Sequence, residues 1–309
     1  MIDASLLQDL RDTFGGQLEE MVPLAKYTSA RIGGPADVLL IPASANELAN
    51  VVQQLWALNA PFTMLGGGSN MLVSDAGVRG VVVLNKSRKV VFDETAPSVW
   101  AESGANFGAV ARQAGRKNFS GLEWAAGIPG TVGGAVVGNA GAHGGDVSSD
   151  LILAEVLHYT KGRETWSVQD FSYQYRSSIL KRELGQAVVL AASFRLQHSE
   201  PEPIKEKMDE FLAFRRRTQP PGASMGSMFK NPTGDYAGRL IEAAGLKGVR
   251  IGDAGISDLH ANFFINLGGA TASQVLELIR SAQETIKSQF GVTLELEVEL
   301  VGDWEETDE

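Results

Sequence analysis

The sequence predicts an α+β protein in two or three parts, with boundaries near residues 85 and 200. Three observations carry this reading. The first 85 residues set apolar runs on either side of one helix-periodic segment. Residues 86–198 are mostly short strand-like runs and turns. The last third reads helix, strand, helix, strand.

Each element has a local reason. Over 44–58, Ser44 and Glu47 form a capping-box pattern, and Leu48, Val51, Val52 and Leu55 share one helical face. Around it stand "DVLLIP" (37–42), "FTML" (62–65) and "GVVVLN" (80–85), which makes a strand–helix–strand unit. In the middle part "VWAES" (99–103), "LILAEVLHYT" (151–160) and "AVVLAASFRL" (187–196) are strands, and 106–118 is a helix. The stretch 198–207 reads as a linker entering a helix with Ile204, Met208 and Phe211/Leu212 at helical spacing. Beyond it the pattern predicts helices over 236–244 and 272–290, a strand at "NFFINL" and a strand over 293–300. The long helix has Thr271 and Gln274 as a capping box and Gly291 past its end.

Composition excludes several function classes. The chain has 309 residues, 27 Lys and Arg against 37 Asp and Glu, and a formal charge of −10. That argues against a general nucleic-acid binder, which needs clustered cations. With no cysteine there are no disulfides, thiolate metal sites or cysteine nucleophiles, and four histidines give a metal site no support. The N-terminal stretch lacks a basic region before an apolar core, and no run approaches the ~18 apolar residues of a membrane span. The expected location is the cytoplasm.

The 35 glycines cluster in "RIGGPAD" (31–37), "LGGGSN" (65–70) and "GIPGTVGGAVVGNAGAHGG" (127–145). Such turns let a ligand or a second backbone approach closely, and successive amides in them make anion-binding nests. Three clusters, two following apolar strands, favour a pyrophosphate-bearing cofactor over simple turns. Neither a Walker A loop nor a standard G-x-G-x-x-G site is present.

Candidate chemistry centres on "GSMFKNP" (226–232). Ser227 alone reads as a turn residue unless a reacting atom sits over it. Nearby, Gly222-Ala-Ser224-Met-Gly226 matches the nucleophile-elbow pattern, with Asp253 or Asp258 and then His260 in hydrolase order, but the flanking residues suit neither the strand nor the helix an elbow needs. In "FSYQYRSSIL" (171–180), Arg176 could clamp a carboxylate or phosphate or form a surface ion pair. In "TLELEVEL" (293–300), Glu295, Glu297 and Glu299 share one face, and spacing does not choose among them.

Seven segments in order carry a resemblance over nearly the whole chain: "YTSARIGGPAD", "LGGGSNMLVSD", "GLEWAAGIPGTVGGAVVGNAGAHG", "YQYRSSIL", "GSMFKNP", "LHANFFIN" and "LELEVELVG". They resemble the UDP-N-acetylenolpyruvoylglucosamine reductases, also called UDP-N-acetylmuramate dehydrogenases, in their shorter type II form. The resemblance implies a vanillyl-alcohol-oxidase/PCMH-type FAD-binding fold of two α/β subdomains with a C-terminal α+β substrate-binding domain. The implied division is 1–84, joined by 299–309; 85–198; and 199–298 for the substrate domain. The implied partners are small molecules, UDP-N-acetylglucosamine enolpyruvate and NADPH, with non-covalent FAD as cofactor. NADPH reduces FAD; a hydride then passes to the vinyl methylene carbon and a proton to the adjacent carbon.

By the same resemblance FAD is held by Arg31, Gly33 and Gly34; by Gly66, Gly67, Gly68, Ser69 and Asn70; and by Gly127, Ile128, Pro129, Gly130, Thr131, Gly133, Gly134, Asn139 and Gly141. Ser227 falls on the family's proton donor. Arg176 and Glu297 fall on groups that stabilise the developing enolate, so a raised Glu297 pKa is expected. Tyr175, Lys230, Asn231 and His260 fall on substrate-binding positions, and Arg215, Arg216 and Arg217 are candidate phosphate partners beside Lys230. Position 259 is Leu where a polar residue is usual, so the local substrate contact is expected to differ.

Overall fold

The computed structural model describes residues 2–304. Met1 and residues 305–309, the end of the segment expected to rejoin the first part, lie outside the described residues.

The first sheet runs Leu18–Pro23, Pro35–Leu40, Val78–Leu84, Phe62–Leu65 in spatial order. Pro35–Leu40 and Phe62–Leu65 both lie parallel to Val78–Leu84 between them, with the helix Ala45–Ala57 as the crossover. Val81 and Val83 face that helix, whereas Val82 and Leu84 enter a separate core with Val22, Leu39 and Leu65. Burial on both faces is why this strand is a continuous apolar run. Leu157, Val188 and Leu190 of the second sheet join the helix side, so Ala45–Ala57 lies between two sheets.

The second sheet is antiparallel, in the order Gly162–Trp166, Leu151–His158, Ala187–Arg195, Ser98–Glu102, Val90–Asp93. Helices Phe107–Arg116 and Val132–Gly138 contribute to its core. The helix Pro201–Thr218 starts at once after 198–200, so the linker is shorter than expected; its prolines occupy the first turn, where no N–H is missed.

The third sheet orders Ala223–Ser227, Phe263–Asn266, Ala254–Ile256, Arg250–Ile251, packed with helices Ala237–Ala243 and Ala272–Phe290. Ala30, Ile32 and Leu72 from the first part complete this core. Two elements differ from expectation. A helix over Ala4–Phe14, burying Leu10 and Phe14, was not anticipated. The strand over 293–300 is replaced by irregular chain with one bridge, Leu296 to Phe229, and a short strand Glu299–Val301 parallel to Met71–Val73. The alternation fails because the partner here is a bent loop, so Leu294 and Val298 are buried while Leu300 is exposed.

One side chain fastens the first part to the third. Asp75 accepts from the Ala272 and Ser273 N–H groups at 2.8 Å each, while Thr271 Oγ1 accepts from Gln274 N. The open N–H groups of the long helix's first turn are thereby satisfied. Asp75→Ala is expected to cost about 1–2 kcal/mol, read as a lower denaturation midpoint at unchanged m-value.

Candidate active site

The glycine loops meet one another. A Cβ at Gly67 would stand 2.9 Å from Gly130 Cα, and one at Gly66 would stand 2.6 Å from Thr131 Oγ1. Only glycine permits so close an approach of two backbones. Between these loops lies a cavity of about 230 Å³ lined by Gly66, Gly67, Gly130, Thr131, Asn85, Lys86 and Arg88, among others. The N–H groups of Gly67 and Gly68 meet no protein acceptor among the described residues. Free amides and two cations around one cavity suit a pyrophosphate. Burial, then the neighbouring Arg88, holds the Lys86 ammonium below its ordinary pKa, and an anionic ligand would reverse that.

Not every expected cofactor residue offers its backbone. The Gly34 N–H is bonded to Ser74 O at 2.9 Å, and the Gly133 N–H to Ser103 O at 2.7 Å. Arg31 is exposed at a φ of 57°. Gly127 lies under the Arg215 side chain, where a Cβ would meet Cδ at 2.6 Å. Thr131 caps the helix Val132–Gly138, whose end is closed by Asn139 in the left-handed region. Gly134 N donates to Thr131 Oγ1 at 3.4 Å, and Gly141 pairs with Asp146. Ile128 N donates to Ala125 O, and Pro129 continues the loop towards Gly130.

The expected catalytic groups come together from three segments. Asn70 Nδ2 donates to Glu297 O at 3.1 Å, and Glu297 N donates to Met228 O at 2.9 Å. The glycine loop 65–70, the residue after Ser227 and Glu297 are thus bonded in sequence. A Cβ on Gly226 would lie 3.9 Å from Ser69 O, which puts Ser227 beside the same loop. Ser227 is half-buried, and its hydroxyl has no hydrogen-bond partner among the described residues. Ser224 lies inside the strand Ala223–Ser227, paired with Ile265, rather than at a strand-to-helix elbow.

Arg176 is delivered by a tight turn in which Gln174 and Ser177 exchange both backbone hydrogen bonds. Tyr173 Oη donates to Val136 O at 2.8 Å and Ser178 Oγ to Val137 O at 2.6 Å, fixing the turn to the helix Val132–Gly138. Arg176 sits at φ 56°, a position of such turns that favours glycine. Its Nε lies 2.9 Å from Glu297 Oε1, yet the buried Nε–H is not aimed at the carboxylate and has no hydrogen-bond partner among the described residues. The contact is therefore an ion pair without a hydrogen bond. Arg176→Gly is expected to relieve roughly 1 kcal/mol of backbone strain, which offsets part of the lost ion pair. A melting temperature near wild type with turnover down about 10²-fold or more is the expected pairing.

Each glutamate of the C-terminal segment has its own cation. Glu295 pairs with Lys230, Glu297 with Arg176 and Glu299 with Lys181, but their side chains are 73%, 16% and 49% exposed. Packing selects Glu297, where alternation did not. Burial pushes its carboxyl above the ordinary range, against the opposing pull of Arg176, Lys181 and Lys230.

Of the remaining substrate positions, Asn231 Oδ1 accepts from Ala237 N at 3.1 Å, which leaves its amide nitrogen outward. His260 Nδ1 accepts from Asn262 N at 3.2 Å, so Nε2 is the donor of the neutral ring, and burial keeps that ring neutral. Tyr175 is exposed next to the Arg176 guanidinium, and Leu259 is exposed as well. Arg216 bonds its own helix at Leu212 O, and Arg217 lies over Phe214. Lys86, Arg88 and Lys181 were missed at the sequence level; the basic run "NKSRK" (85–89) directly after an apolar strand was the available signal.

Residues 36–163 match the FAD binding domain family, and residues 218–301 match the C-terminal domain of UDP-N-acetylenolpyruvoylglucosamine reductase. The chain is 45% identical over 285 residues to the UDP-N-acetylenolpyruvoylglucosamine reductase of Chloroflexus aurantiacus, spanning 90% of this chain and 96% of that one. The chain belongs to the UDP-N-acetylenolpyruvoylglucosamine reductase family. The Bacillus subtilis reductase is 38% identical over 298 residues, 96% of this chain and 98% of its own. The crystal structure of the Thermus caldophilus enzyme of that name superposes with a TM-score of 0.78 at 36% identity, over 91% of this chain and 97% of the other. The fold is an α+β FAD-binding fold followed by the C-terminal α+β domain of that family. The chain is an FAD-dependent oxidoreductase. Among the described residues no helix is long and apolar enough to cross a membrane.

Proposed function

We propose that this chain reduces the enolpyruvyl ether of UDP-N-acetylglucosamine to UDP-N-acetylmuramate, with NADPH as reductant, as a cytoplasmic step of peptidoglycan precursor synthesis. The observation that carries the reading is the arrangement around Glu297: one largely buried carboxyl paired with Arg176, its backbone N–H bonded to the residue that follows Ser227. This set suits a reaction in which a carboxylate-bearing carbon gains negative charge and then a proton.

When bound, FAD supplies the two-electron chemistry, and Gly67, Gly68, Gly130, Lys86 and Arg88 would hold its pyrophosphate. Residues 199–298 form the substrate domain, and residues 1–84 with 299–309 and residues 85–198 form the two cofactor subdomains. Arg176 clamps the substrate carboxylate through its guanidinium. Glu297, protonated, donates to the enolate as charge builds there. The Ser227 hydroxyl then gives its proton to the carbon next to the carboxylate, and solvent restores it. Lys230, Asn231 and the His260 Nε2–H face the nucleotide diphosphate, and Tyr175 packs on the substrate beside Arg176.

The absorbance spectrum of the purified protein, before and after denaturation, tests the cofactor part. A flavin band released on denaturation is expected. A band that stays with the chain would favour a covalent flavoprotein oxidase, with His143 as the attachment point to examine. A colourless protein that takes up no FAD would contradict the reading.

A further inference from the structure

We infer that Asn262 is a positioning residue for proton delivery: its side-chain amide locks the backbone after Ser227 and thereby fixes the serine hydroxyl relative to Glu297. The inference rests on the role proposed above for Ser227.

Asn262 is 3% exposed, and its side-chain amide bonds the backbone of a single residue, Phe229. Its Oδ1 accepts from Phe229 N at 2.9 Å, and its Nδ2 donates to Phe229 O at 2.8 Å. Its own carbonyl accepts from Met228 N at 2.8 Å. The amide thus engages both polar groups of one residue, as a neighbouring strand would. On this side the paired strand Phe263–Asn266 has ended, and on the other Phe229 makes a single bridge to Leu296. Ser224 pairs with Ile265 and Ser227 with Phe263, and the register slips between the two pairs. The chain then leaves the sheet at Met228.

Ser227 needs such a clamp because of what precedes it. Gly226 has a φ of 80° and no Cβ to restrict it. With Phe229 released, the serine would keep its pairing with Phe263, but the chain beyond it would be held only by the backbone bonds of Met228. The clamp also reaches Glu297, since Met228 O, on the far side of the same residue, accepts from Glu297 N. The buried amide therefore braces, at Phe229, the backbone that joins proton donor and acid, and a misplacement of about 1 Å at a reacting group costs on the order of 10²-fold in rate.

The test uses the FAD-loaded protein in anaerobic stopped-flow, with the flavin band read in each half-reaction. Asn262→Ala and Asn262→Asp are expected to be reduced by NADPH at the wild-type rate and reoxidised by the enolpyruvyl nucleotide about 10²-fold more slowly. The solvent deuterium isotope effect on reoxidation should rise, and the Met228 and Phe229 amides should exchange faster. Asn262→Asp is expected to recover as pH falls, because a protonated carboxyl again offers one donor and one acceptor. Its rate is taken relative to wild type at each pH, which cancels titration of His260, Lys230, Glu295 and Glu297. If Asn262→Ala does not fold, the near-isosteric Asp variant and its pH recovery carry the test.

Wild-type reoxidation in both variants would overturn the inference. So would equal losses in both half-reactions that follow a fall in melting temperature. Ser227→Ala run alongside separates the two claims. If it reoxidises normally, the proposed function of the serine fails and this inference with it. If it is dead in that half-reaction while the Asn262 variants are fully active, only the inference fails.

Discussion

Ser227→Ala is expected to lower turnover by about 10²- to 10⁴-fold while NADPH still bleaches the flavin band at the wild-type rate. The asymmetry follows from where the hydroxyl sits. It has no hydrogen-bond partner among the described residues, so removing it breaks none of the bonds seen there. Folding and flavin binding should therefore survive. A neutral serine is a weak acid, and it can protonate only a strongly basic carbon held within reach. That carbon exists only after the substrate has been reduced. Loss of flavin reduction in the same variant would show that the role is misassigned. Ser224→Ala is the control: Ser224 lies within a strand, and the variant should turn over normally.

Glu297→Gln is the second large effect. It should cost about 10²- to 10³-fold, because a glutamine keeps the shape but has no acidic proton for the enolate. Glu295→Gln and Glu299→Gln should stay within about fivefold, since exposed ion pairs contribute ~1 kcal/mol or less. Equal losses at the three positions would sink the assignment. The pH dependence has a defined sign. Burial raises the Glu297 pKa in the folded chain, so the folded state holds this proton more tightly than the unfolded state. The stability it contributes is complete below the unfolded pKa and is lost as pH rises through the folded pKa. Turnover that needs protonated Glu297 falls over the same rise. The Gln variant should lack that component of the melting-temperature slope, which a denaturation series rising from the ordinary glutamate range would read.

Much of the fold was legible because it is locally encoded. The helix Ala272–Phe290 shows its cap, its apolar face and its closing glycine within one stretch, and the structure has all three. The doubly buried strand Val78–Leu84 shows itself as an unbroken apolar run. The N-terminal helix carried a usable signal in Leu6, Leu7, Leu10 and Phe14, but the segment was read only for what it lacked as a leader. The C-terminal segment misled because period-2 alternation presumes a flat neighbouring strand, and its neighbour is the loop around Met228.

The site divides in the same way. Glycine clustering pointed to an anion site, since a backbone that must approach another closely leaves its mark in composition. The distinction among Glu295, Glu297 and Glu299 is absent from the sequence, because it arises from which carboxylate the Arg176 turn covers. Asn262 gave no signal either, as its partners are 33 residues away and are backbone groups.

The most direct measurement of the central claim is a double-mixing experiment without oxygen. The FAD-loaded protein is reduced with one equivalent of NADPH and then mixed with UDP-N-acetylglucosamine enolpyruvate. Return of the oxidised flavin band, with UDP-N-acetylmuramate formed in proportion, is the predicted result. A flavin that stays reduced with the enolpyruvyl nucleotide and reoxidises only when oxygen is admitted would contradict it.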